Sequence, residues 1–246
     1  MTDLSMQLNN AGVACLDSGK TLQALNLFRE ALTHTMVQLR KPDSLPGSLH
    51  ATNTCQSTSE SLPFESTLTP DFMSLFPGIC EGSQNWVPFI HARAMRIIAN
   101  HGAYAKDPMV NATLNSAIII FNLAVVYHVK AVGESVSQGP RLCKAKSLYE
   151  KSYLLLADCN VLACAGGNPT IDLLSMALLN NLAQITYELT EYDSSQLYFQ
   201  ELVRFAHSVS PDAYGNCSIA TFMDYQKSSF LLNAMFLHAP SIAPAA

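Results

Sequence analysis

The stretch that most constrains this chain is 178–206, LLNNLAQITYELTEYDSSQLYFQELVRFA, where apolar and small residues recur at helical spacing on both sides of Leu189-Thr190-Glu191. Two amphipathic helices joined by so tight a turn form a hairpin, with Leu182, Ala183, Tyr192, Ser195, Phe199 and Leu202 where it packs on itself. The segment 4–33 has the same organisation. Leu4, Leu8, Ala11, Gly12 and Cys15 precede the polar turn Asp17-Ser18-Gly19-Lys20, and Leu22, Ala24, Leu25, Phe28, Ala31 and Leu32 follow it. The chain is therefore expected to be all-α.

The spacing of these residues resembles the tetratricopeptide repeat, a helical hairpin of about 34 residues marked by small and large residues at fixed positions. Leu8, Ala11, Gly12, Cys15, Gly19, Ala24, Phe28 and Ala31 fall on that pattern. Gly12 and Ala24 are small because the helices cross there, and Leu8 and Phe28 fill the layer beside the crossing. A second copy has Ile120, Leu123, Ala124 and Tyr127 in its first helix and Ala145, Tyr149 and Ser152 in its second. The third is the opening stretch, which carries Thr186 and Ser195 where the family usually has an aromatic residue and an alanine. The resemblance implies antiparallel helix-hairpin repeats in a right-handed solenoid of about three units. The layout also resembles a group of short diatom proteins of that family, which implies no activity.

Taken in order, the first repeat covers about 3–38, a flexible Ser/Thr/Pro-rich insertion 41–70 and an extended insertion 71–106. Within the latter, Val87 to Ile98 reads as extended and lying against the helices, and Trp86 as a packing anchor. The second repeat covers about 107–158: Asp107-Pro108 supplies a cap and first-turn proline, and the run to Lys130 is apolar almost all round, as befits a central buried helix. Its partner runs from Arg141 to Ala157. Asn168-Pro169 opens the third repeat, about 168–208. A final helix at about 216–238 is expected to cover the apolar end of the stack, followed by an unstructured tail, 239–246.

Composition narrows the function. With 246 residues, 49% hydrophobic and 13% charged, the chain can bury a large core. A net charge of −5, with no basic stripe, argues against a nucleic-acid partner. The N-terminus lacks the pattern of a secretory signal, and the most apolar run, Ala117 to Val126, falls well short of the roughly 20 residues that span a bilayer. The expected setting is cytoplasmic, without a membrane span. The seven scattered cysteines suit reduced thiols, Cys159 and Cys164 included.

No catalytic site is legible. The seven histidines form no pair at helical ligand spacing, no two cysteines form a C-x-x-C pair, and there is neither a G-x-S-x-G elbow nor a phosphate-binding loop. His128 reads as a hydrogen-bonded boundary residue. The expectation is a non-enzyme without cofactor or metal. In the repeat register Asn10, Asn122 and Asn181 occupy one position, and each carboxamide offers both a donor and an acceptor to the backbone of an extended peptide. Asn9, Asn180 and Gln184 accompany them on the face that the resemblance makes concave, along with Met6, Val13, Ile118, Phe121, Val125 and Ala177. No basic residue is among them, so an acidic C-terminal carboxylate would find no countercharge. The expected function is a scaffold or adaptor binding a protein or peptide segment; the alternative is a structural subunit of a homo-oligomer or larger assembly. An open groove predicts that replacing Asn122 and Asn181 weakens partner binding and leaves stability almost unchanged. The insertion leaves open that the Trp86–Ile98 segment fills part of the groove.

Overall fold

A computed structural model describes residues 4–39, 91–97, 108–133, 138–158, 168–214 and 217–238. These form seven α-helices: α1 (Leu4–Asp17), α2 (Thr21–Leu39), α3 (Pro108–Gly133), α4 (Gln138–Asp158), α5 (Pro169–Glu188), α6 (Tyr192–Ser208) and α7 (Cys217–His238). A 3-10 turn at Pro211–Tyr214 precedes α7, and no strand occurs among the described residues. The fold is all-α. The expectations for 41–70, Trp86, Asp107, Cys159, Cys164 and the tail lie outside the described residues.

Consecutive helices pair, α1 with α2, α3 with α4 and α5 with α6; α2 also packs on α3, and α4 on α5. Helices α1, α3 and α5 touch in turn and form one inner face. At the α1–α2 crossing a Cβ on Gly12 would lie 2.6 Å from the buried Phe28 ring, so only hydrogen fits there. Hydroxyls join the other two pairs: Ser152 donates to the Ala117 carbonyl at 2.8 Å, and Ser195 to the Ala183 carbonyl at 2.8 Å. Ser195 stands where an alanine would fit by size, and its buried hydroxyl is satisfied by that carbonyl.

Both uninterrupted hairpins turn in the same way. Gly19 (φ 73°) and Thr190 (φ 63°) adopt left-handed backbone, and the amides around them close back onto the preceding helix, Lys20 N–H to Cys15 O at 2.8 Å and Glu191 N–H to Thr186 O at 2.8 Å. That is the Schellman closure of a helix C-terminus. Helix α5 starts where its sequence signals: Asn168 caps it, its carboxamide oxygen accepting from the Thr170 and Ile171 amides, with Pro169 in the first turn.

Helix α3 is the centre of the core. Its 110–133 portion is long and apolar enough to cross a membrane by composition, and 72% of its most apolar window is buried against the other helices. Leu114, Ile118, Ile119, Phe121 and Val125 are fully enclosed. Helix α7 packs on α5 and α6 through Ile219, Met223, Phe230 and Ala234.

Some sequence expectations need correction. Tyr192 is 58% exposed; as the first residue of α6 it stands outside the hairpin and packs edge-on against Tyr187. Leu22, in the first turn of α2, lies beyond the helix crossing and is exposed, as is Ala11. Helix α4 begins at Gln138, before Arg141, because Pro140 is tolerated in a first turn where amides have no intrahelical partner.

Candidate functional site: an asparagine-lined inner face

Residues 91–97 carry no regular secondary structure and lie against the inner face of α1, α3 and α5, running from α5 to α1. In an extended chain the N–H and C=O of one residue point to the same edge, and those of alternate residues share it. Residues 91, 95 and 97 therefore offer one row of backbone groups, and the three aligned asparagines meet it.

Each makes a two-point contact. Asn181 Oδ1 accepts from the His91 amide at 2.8 Å, and its Nδ2 donates to the His91 carbonyl at 3.1 Å. Asn122 Oδ1 accepts from the Met95 amide at 2.7 Å, and its Nδ2 donates to the Met95 carbonyl at 2.7 Å. Asn10 Oδ1 accepts from the Ile97 amide at 2.8 Å, and its Nδ2 donates to the Ile97 carbonyl at 2.7 Å. A side-chain amide held in this way replaces the residue of a neighbouring strand, and six backbone groups that would otherwise be desolvated are paired.

A second set of polar groups orients the first. Asn9 donates to the Met95 carbonyl at 3.1 Å and accepts from Asn122 at 2.9 Å, so the middle rung is doubly tied. Asn180 donates to Asn181 Oδ1 and accepts from Asn233 of α7. Gln184 donates to Glu188 one turn further along α5. Of the six residues expected to hold a peptide, Asn10, Asn122, Asn181 and Asn9 bond the inner segment directly, Asn180 supports its neighbour, and Gln184 bonds within its helix.

The inner segment reaches the helices with side chains as well. Met95 and Ile97 are each 2% exposed and join the apolar core with Met6, Val13, Ile118, Phe121, Val125 and Ala177. The face expected to be an open groove is thus buried under the chain's own residues. Replacing Asn122 or Asn181 is consequently not neutral for stability, which corrects the expectation drawn for an open groove. The His91 ring lies 5.5 Å from Phe230 and 6.3 Å from Phe121, and burial, assisted by the Arg93 charge, lowers its pKa to about 4. Ala92 and Arg93 point to solvent, and Arg96 approaches Asp17 at 3.7 Å.

Behind the Asn181 rung, Tyr149 Oη accepts from Asn181 at 3.1 Å and lies 3.4 Å from His128 Nδ1, whose Nε2 stands 3.5 Å from Glu188. Burial pushes the Tyr149 phenol up, with the Asn181 hydrogen bond acting against the shift and Glu188 adding to it. His128 is fully enclosed rather than at a boundary, since α3, α4 and α5 converge on it. His128 and Tyr149 are enclosed from water, Glu188 is half-buried, and together they back the Asn181 rung. No group of three His, Cys, Asp or Glu able to hold a metal occurs among the described residues.

Sequence reasoning finds the asparagine row and reads 87–98 as extended, of which 91–97 are described and carry no regular secondary structure, but it does not join the two. The signal that could have done so is the period-two apolar pair Met95 and Ile97, which demands a buried surface at one edge of the segment. No family model, curated protein or solved structure matches the chain.

Proposed function

We propose that the chain is a non-catalytic interaction scaffold: a tetratricopeptide-like array of about three hairpins in a right-handed stack, α7 capping its end, that binds an extended protein segment on its concave face in the cytoplasm. The observation that carries this reading is the set of two-point contacts from Asn10, Asn122 and Asn181 to the backbone at Ile97, Met95 and His91. The asparagines engage backbone rather than side chains and so accept many sequences in one conformation. The face carries no basic residue, which favours uncharged or basic segments over acidic ones.

A displayed library of random peptides, selected on the full chain, tests this. Photocrosslinking of the enriched peptides locates where they bind. They should bind the wild-type chain and label residues of α1, α3 or α5 beside Asn10, Asn122 and Asn181. No enrichment, or labelling confined to other surfaces, would remove the face from consideration.

A second reading, a structural subunit of a homo-oligomer or larger assembly, is favoured by α7. Its outward side carries Leu232, Met235 and Phe236, at 44%, 70% and 63% exposure, and contiguous exposed apolar residues mark contact surfaces. Light scattering across a concentration series distinguishes the two: a clean monomer at high concentration counts against self-assembly.

A further inference from the structure

We infer that 91–97 is the resident ligand of this face, and that a partner enters by strand exchange, supplying an extended segment with two apolar residues spaced two apart to replace Met95 and Ile97. This rests on the scaffold reading above and adds what the partner must look like and what it must displace.

Three observations support it. The asparagines contact only backbone atoms of the segment, so they set conformation and direction without selecting sequence. Selection falls to the side chains that are buried: Met95 and Ile97 enter the core, and the His91 ring packs on Phe121 and Phe230. Ala92 and Arg93 face solvent and are not read. A matching segment carries a flat ring, two unconstrained positions, a small residue where Ala94 packs against the core, an apolar residue, a spacer and a second apolar residue. Finally, Asn9 and Asn122 are buried, and an empty face would keep only the bonds from Asn122 to Asn9 and from Asn9 to Asn10, leaving the Asn122 carboxamide oxygen without the Met95 amide at a desolvation cost. The filled face is therefore the more stable one, and exchange replaces simple binding to a vacant groove.

Occupancy in cis sets the apparent affinity in trans, because a tethered segment competes at an effective concentration in the millimolar range or above. Weakening the resident strengthens the visitor by the fraction of open face it creates. The probe is a capped, dye-labelled heptapeptide with the sequence of 91–97, HARAMRI, titrated into the full chain and into the full chain carrying Met95→Ala and Ile97→Ala. The peptide should bind the variant at least tenfold more tightly than wild type. Alanine at the peptide's own Met and Ile positions should cost at least tenfold, and changes at its second and third positions less than twofold. Equal affinity for both chains, or indifference to the apolar pair, would overturn the proposal.

Because the doubly substituted chain could lose its fold, hydrogen exchange of wild type gives an independent measurement. Excess peptide should speed exchange at the resident His91, Met95 and Ile97 amides by at least threefold, and unchanged exchange at millimolar peptide overturns the inference. So does a chain that trades its segment only with a second copy and ignores free peptide. If library peptides enrich without the apolar pair, the scaffold reading stands and this one fails; if none enriches and the resident amides never respond, both fail.

Discussion

The two ends of the inner face are built alike and held differently. At one end the α1–α2 hairpin, with α3 beside it, ties Met95 and Ile97 through Asn9, Asn10 and Asn122, and both apolar side chains are buried. At the other, the α5–α6 hairpin ties His91 through Asn181 alone, and the anchoring residue is half-buried, its titratable ring packed on Phe121 and Phe230. The same carboxamide clamp thus makes a fully buried anchor at one end and a half-buried one, with a titratable ring, at the other. The difference lies in what accompanies each asparagine, since the hydrogen-bond lengths are similar. A segment held this way should open from the His91 end first.

The sharpest way to break this comparison is to remove one rung from each end. Asn122→Ala strands the Met95 amide and the Asn9 carboxamide oxygen in a dry interior, and should cost about 3 kcal/mol in urea denaturation. Asn181→Ala should cost less, about 2 kcal/mol, because the His91 amide and carbonyl are only part-buried, while the enclosed Tyr149 hydroxyl loses its Asn181 donor. Equal losses would mean that the ends are equivalent.

The next effect is carried by pH and belongs to the His91 end. The folded chain holds this ring below its ordinary value, at about 4, whereas the unfolded chain protonates it near 6.5. Between these values the unfolded state binds more protons, so stability is complete above about pH 6.5 and falls as pH drops toward 4. The loss should be about 3 kcal/mol when the whole interval is crossed. It should register first as faster hydrogen exchange at His91, with Ile97 still protected, and His91→Phe should abolish that difference. Simultaneous loss of protection at 91 and 97 would show that the segment leaves as one piece.

The legibility of these features in the sequence follows from how local each one is. Asn10, Asn122 and Asn181 are recognisable because a register fixed by small residues places all three on one face, and a carboxamide has a single obvious use beside a backbone. The Gly12 contact with Phe28 is readable for a similar reason, since a glycine inside a helix needs a close neighbour to account for it. The identity of what the asparagines hold is a long-range fact. The rung to Met95 joins residues 27 apart and the rungs to His91 and Ile97 join residues about 90 apart, and no local pattern encodes such pairing. Tyr192 and Leu22 sit at positions whose periodicity says buried, but at a helix start the neighbouring helix has already turned away. His128 reads as a boundary residue from its place late in an apolar helix, and it is enclosed because α4 and α5 bring Tyr149 and Glu188 to it.

The smallest effect concerns the turns that close the two hairpins. Both use the left-handed conformation at one residue, Gly19 in the hairpin that holds Ile97 and Thr190 in the one that holds His91. A glycine adopts it freely, whereas a β-branched residue is strained there by about 1–2 kcal/mol. No atom lies within 4 Å of a Cβ placed on Gly19, so the cost of Gly19→Thr is backbone strain alone, and about 1–2 kcal/mol should be lost. Thr190→Gly relieves that strain but adds freedom to the unfolded chain and removes the hydroxyl contact to the Leu189 carbonyl, so the expected gain is smaller, about 0.5–1 kcal/mol. Opposite signs in thermal denaturation would establish that the two hairpins share one turn geometry and differ only in the residue that fills it. A loss at Thr190→Gly would instead mean that the exposed hydroxyl contact outweighs the strain, and that the α5–α6 turn is stabilised by means the α1–α2 turn does not use.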